Sequence, residues 1–427
     1  MATYKVVDAE KLDADMTSVA DTIRTKGGTT EQLAWPDGYK AAIEAIQTGG
    51  GAPVEVEEKD VNFYDYDGTL LYSYTLAEAQ ALTELPPLPS RGGLICQEWN
   101  CTLEQIMTWK QPLDIGALYT TDDGKTRIYI QLVDSELLTI PLKFYQSVAN
   151  GVEIDWGDNS AIETISGTGN VVIEHTYAKN GKYKISLNAK NGVLRFIKNL
   201  TGETGYIRSI VQKVEIGNNV DGIEANSFDA LRQMQTITIP VSVTYVRSYA
   251  FQYCYSLRWI VLPPSFTQEA PYILYNCRSL LGVCLAKRNG NIPNRYLGEC
   301  SALRRLTIKT GPTALVNSFA ANCLSLNYVY IPETVNDLKD SAFSGCSSLT
   351  RVVFAGPVTA IAASVFSGCT SMVLYDFTKC TSVPTLSDTN SFKNIPSDCE
   401  IRVPAALYDE WIAATNWSTY AANIVGV

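Results

Sequence analysis

Residues 250–263 read AFQYCYSLRWIVLP, residues 319–332 read FAANCLSLNYVYIP and residues 341–354 read SAFSGCSSLTRVVF. The three words share one register. Cys254, Cys277, Cys300, Cys323, Cys346 and Cys369 fall 23 residues apart without a slip. Three residues after each comes Leu257, Leu280, Leu303, Leu326, Leu349 or Met372, and three further on Ile260, Val283, Leu306, Val329, Val352 or Tyr375. Two further on stand Leu262, Leu285, Ile308, Ile331, Phe354 and Phe377. The change to a step of two marks a short strand with alternate side chains turned inward. An earlier, degenerate copy carries Phe228, Leu231, Met234, Ile237 and Ile239, which makes seven turns. A fixed period of this length specifies a solenoid: one turn cannot bury its own apolar edge, and stacked turns share a continuous core. The cysteine at each turn is then a compact buried residue with a weak S–H donor, with no metal or redox role.

These words resemble the BspA-like leucine-rich repeats, whose pattern runs close to AFxxCxxLxxIxIP. The resemblance covers about residues 217–380. The ending VPAALYDEWIAATNWSTYAANI resembles the segment that closes such arrays, and it implies a cap in which Leu407, Tyr408, Trp411, Ile412, Trp417 and Tyr420 cover the open end of the core.

Working outward gives a multidomain chain, mainly β with some α. Residues 1–48 read as a short helical unit for assembly or attachment, with Leu12, Met16, Val19, Ala20 and Ile23 on one face and Lys26-Gly27-Gly28 as its stop. Its stretch VADTIRTKGGTTEQLAWPDGYKAAIEAI resembles the N-terminal segment of tail proteins from phages of Gram-positive gut bacteria. Residues 49–59, which include Gly49-Gly50-Gly51-Ala52-Pro53, form a flexible linker. Residues 60–140 form a β-rich spacer. Residues 141–200 hold EIDWGDN and IEHTYAKNGKYKISLNA and resemble a PKD-like, immunoglobulin-type sandwich with Trp156 in its core. The solenoid occupies 205–380 and the cap 381–427.

Forty-four acidic against 34 basic residues, with no basic run, exclude a nucleic-acid partner. No apolar stretch reaches the ~20 residues of a membrane span, so membrane insertion is not expected. The start MATYKVVDAEKLDADM has no apolar core behind a basic segment, which predicts no secretory signal. Eleven cysteines without a CxxC pair predict neither a disulfide framework nor a zinc site, and no cofactor is expected. Asp155 and Asp158 lack a DxDxDG loop and are not assigned calcium. The single histidine, His175, lies in the HTY word and reads as a structural hydrogen-bonding residue.

One enzyme motif stands out. Residues 65–69, DYDGT, spell the opening of haloacid-dehalogenase phosphatases, a resemblance that implies Asp65 as nucleophile and Asp67 as acid. An Asp-Gly hairpin turn explains the same letters more simply, because the strand–helix alternation that chemistry needs is missing. The chain is therefore read as non-enzymatic.

Function is expected on the solenoid's strand face. If Ile260 and Leu262 point inward, Trp259 and Val261 point out. The 23-residue shift then gives one outward column of Thr236, Trp259, Gly282, Arg305, Tyr328, Arg351 and Leu374, and a second of Thr238, Val261, Cys284, Thr307, Tyr330, Val353 and Asp376. Trp, Tyr and Arg dominate binding hot spots, so Trp259, Arg305, Tyr328, Tyr330 and Arg351 form the candidate receptor patch. Together with the resemblances, this implies a phage tail protein. Its N-terminal helices join other tail or baseplate proteins, a homotrimer fits that role, and the solenoid recognises a glycan or protein receptor on the bacterial cell surface. The alternative is a BspA-like adhesin at the bacterial surface, binding host or bacterial ligands.

Overall fold

A computed structural model describes residues 59–110, 112–202, 207–264, 270–284, 293–308 and 311–427. The helical unit expected over 1–48 and nearly all of the 49–59 linker lie outside the described residues. From Asp60 onward the chain is one compact unit. It is mainly β, with few helices, and ends in a β-solenoid.

The first module is a four-stranded sheet of β1 (Val61–Tyr64), β2 (Leu70–Tyr74), β3 (Leu94–Trp99) and β4 (Leu113–Thr121), in the order β2-β1-β4-β3. β1 and β4 run parallel, so a crossover joins them. It contains two one-turn helices, α1 (Leu76–Gln80) and α2 (Leu103–Met107). Each starts in a capping box, Thr75 with Glu78 and Thr102 with Gln105, which satisfies two otherwise orphaned N–H groups at each start. The DYDGT word is the turn between β1 and β2. Asp65 N–H donates to the Thr69 carbonyl at 2.8 Å, Gly68 N–H to the Asp65 carbonyl at 3.1 Å, and Thr69 N–H to the Asp67 carboxylate at 3.0 Å. Asp65 is fully buried and its carboxylate accepts from Arg91 Nε at 2.5 Å. The word is thus the strand-joining turn read from the sequence, and of the two carboxylates named by the haloacid-dehalogenase alternative, Asp65 is paired with a guanidinium and Asp67 closes the turn.

The second module differs in extent from the expected 141–200. β5 (Thr126–Leu132), placed in the spacer by sequence, and β6 (Thr139–Gln146), which straddles the expected boundary, open a two-sheet structure completed by β7 (Val152–Asp155), β8 (Glu163–Ile165), β9 (Gly169–Thr176), β10 (Gly181–Ala189) and β11 (Leu194–Phe196). Alternate residues of β5 (Ile128, Ile130, Leu132) and β6 (Ile140, Leu142, Phe144) enter the core. Trp156 is buried and stacks on His175, with ring centroids 4.6 Å apart and planes 9° from parallel. His175 Nε2 lies 2.7 Å from Asp158, and Tyr177 Oη donates to the Trp156 carbonyl at 3.0 Å.

Both sheets continue into the solenoid. β5 pairs antiparallel with β12 (Val211–Glu215), which pairs parallel with β14 (Thr236–Thr238). β11 pairs parallel with β13 (Val220–Ile223), which pairs with β15 (Tyr245–Val246). The solenoid's first turns therefore have paired edges, and one apolar core runs from Ile128 to Ile424. A longer strand ladder then passes through Trp259–Val261, Gly282–Cys284, Tyr328–Ile331, Arg351–Phe354 and Leu374–Asp376, while two-residue strands such as Asp337–Leu338 and Ala360–Ile361 form a second side. Each repeat cysteine is buried and donates its thiol to a carbonyl 26 residues back: Cys254 to Phe228, Cys277 to Phe251 and Cys300 to Leu274, at 3.1–3.2 Å. The cysteine ties each turn to the one before. Past residue 380 the ladder itself goes on, with Glu400–Val403 and Ile424–Gly426 adding in parallel. Trp411, Trp417 and Tyr420 are buried against Phe377 and Phe392, which closes the last turn.

Candidate functional site

The pairing register is the one the 23-residue shift requires: Trp259 opposite Gly282, Tyr328 opposite Arg351, and Tyr330 opposite Val353 and then Asp376. The outward columns are real. What covers them is not solvent throughout, because the first module lies across the opening turns. Trp259 is only 5% exposed and packs on Tyr64 with ring centroids 4.5 Å apart. The indole fits between two glycines: a β-carbon on Gly68 would stand 3.0 Å from its ring atoms, and one on Gly282 2.2 Å. A β-carbon on Gly116 of β4 would stand 2.4 Å from a Val261 methyl. Tyr64, Leu118, Trp259, Val261 and Cys284 thus form a small apolar core of their own.

Polar contacts fix this docking. Asn100 spends its amide N–H groups on the carbonyls of Cys284 (3.1 Å) and Leu262 (3.4 Å), and its oxygen accepts from Gly116 N–H (3.0 Å). Arg305 reaches the buried Asp114 through Nε at 3.2 Å and a terminal nitrogen at 3.1 Å. Val241 N–H donates to Gln97 at 3.0 Å. The expectation that Trp259 faces a receptor is corrected, because it is sealed in seating the 60–121 module; Arg305, about a quarter exposed at 26%, also points away from the solenoid core and pairs with Asp114 of that module.

Beyond this contact the face is open. Tyr328 and Tyr330 are half-buried and Arg351 is exposed. Desolvation pushes both phenols above their ordinary range, with Arg351 opposing it at Tyr328 and Glu333 adding to it at Tyr330. Tyr330 joins Val353 and Asp376 as the floor of a cleft of about 780 Å³. One wall is α2 and its continuation, with Gln105, Thr108, Trp109 and Lys110; the other includes Glu333, Thr334, Thr378 and Lys379. Asp376 is held in place by the Thr378 N–H at 3.1 Å and hydroxyl at 2.7 Å. Tyr328 and Arg351 lie beside the cleft rather than in its lining. Sequence reasoning missed the α2 wall entirely. The only signal for it was the Thr102–Gln105 capping box, which announces a helix and says nothing of what it faces.

The cleft offers three aromatic residues, hydroxyls, the Gln105 amide, two lysines and two carboxylates around a partly apolar floor. Such a lining suits recognition of a polar, ring-bearing ligand. Among the described residues, no group of three His, Cys, Asp or Glu is placed to hold a metal ion.

Comparison with known proteins bears on the solenoid. Residues 202–315 and 275–397 match the BspA type leucine rich repeat region family, in six copies. This part of the chain is built of BspA-type leucine-rich repeats. No curated protein matches the chain. Among solved structures, a T. pallidum leucine rich repeat protein is 19% identical, covering 46% of this chain and 86% of that one with a TM-score of 0.30. A Bacteroides ovatus leucine-rich repeat protein is 16% identical over 61% of this chain and 91% of that one, with a TM-score of 0.29. A leucine rich cell surface protein from Faecalibacterium prausnitzii is 16% identical over 55% and 90%, with a TM-score of 0.23.

Proposed function

We propose that this chain is a non-enzymatic, adhesin-like binding protein that acts at a bacterial cell surface and takes its ligand in the cleft between α2 and the open strand face. The observation that carries the reading is the cleft's construction. Its two walls come from different modules, and the buried Asp114–Arg305 pair and the Asn100 hydrogen bonds hold those modules in one arrangement. A site preorganised in this way loses little conformational entropy on binding. The BspA-type repeats supply the scaffold, and among the described residues no helix is long and apolar enough to cross a membrane. The test is binding of the full chain to a glycan array, to host matrix proteins and to intact bacteria. Tyr330→Ala combined with Asp376→Asn is expected to weaken the strongest of these at least about tenfold, the effect of losing one hot-spot contact. Unchanged binding by a variant that melts normally would rule the cleft out.

The N-terminal stretch that resembles phage tail segments favours a second reading. Here the same face is carried on a virion, the N-terminal segment docks on tail or baseplate proteins, and the receptor is a glycan or protein of the bacterial surface. The WGD and HTY words further support a PKD-like identity for the two-sheet module. Light scattering on the full chain distinguishes a homotrimer from a monomer. Detection of the chain in purified particles, rather than in cell-wall fractions, decides for the virion.

A further inference from the structure

The turns that lead from the short strands back to the long ladder carry a second surface, away from the cleft. Two columns define it. Arg232, Tyr255 and Arg278 stand 23 residues apart, and both guanidiniums lie over the Tyr255 ring, at 5.7 and 4.8 Å from its centroid. Tyr249, Tyr272 and Arg295 form the neighbouring column: the two tyrosines stack at 4.9 Å and Arg295 lies 5.9 Å over Tyr272. All three arginines are exposed, and none makes an ion pair among the described residues. The tyrosines are partly exposed.

The backbone shows that these side chains are not default choices. Tyr249 and Tyr272 have φ of 62° and 61°, and Tyr253 beside them 58°. That left-handed region is costly for bulky residues. Later turns fill the equivalent places with Ser318, Ser341 and Ser364, or with Gly345 and Gly368. In the Arg232 column the later occupants are Ser301, Leu324 and Ser347. The aromatic and arginine run is therefore confined to a few early turns; elsewhere these columns hold residues such as serine, glycine, asparagine, glutamate or leucine. It accumulates unpaired positive charge on a chain whose net charge is −10.

We infer that this edge binds a linear acidic polysaccharide. Arg232 and Arg278 are two strand spacings apart, ~9.6 Å, about the interval at which a glycan bearing one acidic group per disaccharide repeats its charge. The tyrosine ring holds each guanidinium in place; Arg278 Nε donates to Asn276 Oδ1 at 2.8 Å, which leaves its terminal nitrogens to meet a carboxylate or sulfate. Partly exposed phenols between the arginines offer hydroxyls and ring surface to the intervening sugars. An acidic polypeptide lacks that fixed interval and the ring faces.

The test uses the full chain, with chondroitin sulfate as probe and neutral dextran and poly-glutamate as comparators. Chondroitin sulfate should bind with an affinity that falls as salt rises, and dextran should not bind. Arg232→Gln with Arg278→Gln should lower the affinity at least about tenfold, the loss of one or more charge-assisted hydrogen bonds. Arg232→Lys with Arg278→Lys keeps the charge without the planar fork and should fall between. Tyr330→Ala in the cleft should leave this binding unchanged, so failure here and failure of the cleft reading are separable. No binding by the wild-type chain, equal binding by the glutamine variant, or poly-glutamate bound as tightly would each overturn the inference.

Discussion

Replacing Trp259 by alanine separates a buried docking residue from an exposed receptor residue. A tryptophan side chain buries about 150–250 Å², and at about 25 cal/mol per Å² its removal from water is worth about 4–6 kcal/mol. Alanine keeps the β-carbon and the walls relax in part, so the expected loss is about 3–5 kcal/mol. The pocket has little means of collapsing, because Gly68 and Gly282 bring backbone, not flexible side chains, against the indole. The loss falls on the contact between the 60–121 module and the solenoid, so local opening is the sensitive readout. Amide hydrogen exchange across residues 259–261 and 282–284 should accelerate by roughly two to nearly four powers of ten, at about 1.4 kcal/mol per tenfold. Trp259→Phe is the control. The indole N–H has no hydrogen-bond partner among the described residues, so phenylalanine strands no polar group and should cost about 1–2 kcal/mol. Exchange in the alanine variant within threefold of wild type, with a melt shifted by under about 0.5 kcal/mol as surface changes give, would refute the burial argument.

Arg305→Met should destabilise the same contact by about 3–5 kcal/mol, because it leaves Asp114 charged and buried without its partner. Arg351→Met, on the exposed part of the same column, should stay within about 0.5 kcal/mol, and urea midpoints compare the two. The cysteine ladder predicts alkaline weakness: burial pushes the Cys300 and Cys346 thiols up to about 12 from an ordinary 9.0. Their contribution is complete below pH 9, where unfolded thiols are still protonated, and is lost as pH rises toward 12. The urea midpoint should fall over that window, and less steeply in Cys300→Ala; a flat profile counts against it. At the acid end, partial burial works against ionisation of Asp158, but hydrogen bonds from Ser160 and His175 prevail and hold its carboxyl at about 2. Stability from this group is present above the ordinary 3.8 and lost as pH falls toward 2. In His175→Gln, near-UV circular dichroism should show the acid transition at higher pH.

The sequence alone determined the solenoid, its period, the inward and outward columns and the burial of the cysteine rungs. All of these follow from local periodicity: a 23-residue repeat and a step of two decide which side chains stack, whatever else the chain does. It also marked the DYDGT word as a turn, because Asp-Gly geometry is local. Two things were decided only by tertiary structure. One is that β5 belongs with the two-sheet module and pairs on into the solenoid, since pairing between Ile128 and Val214 leaves no trace in either segment. The other is which outward residues meet solvent. Val261 and Tyr330 occupy equivalent positions three turns apart, yet one is sealed against Gly116 and the other floors an open cleft. The difference lies in a module more than a hundred residues upstream, whose docking depends on shape at Gly116 and on Asn100 and Asp114. Contacts of that range are set by the summed fit of two surfaces, and no repeat register encodes them.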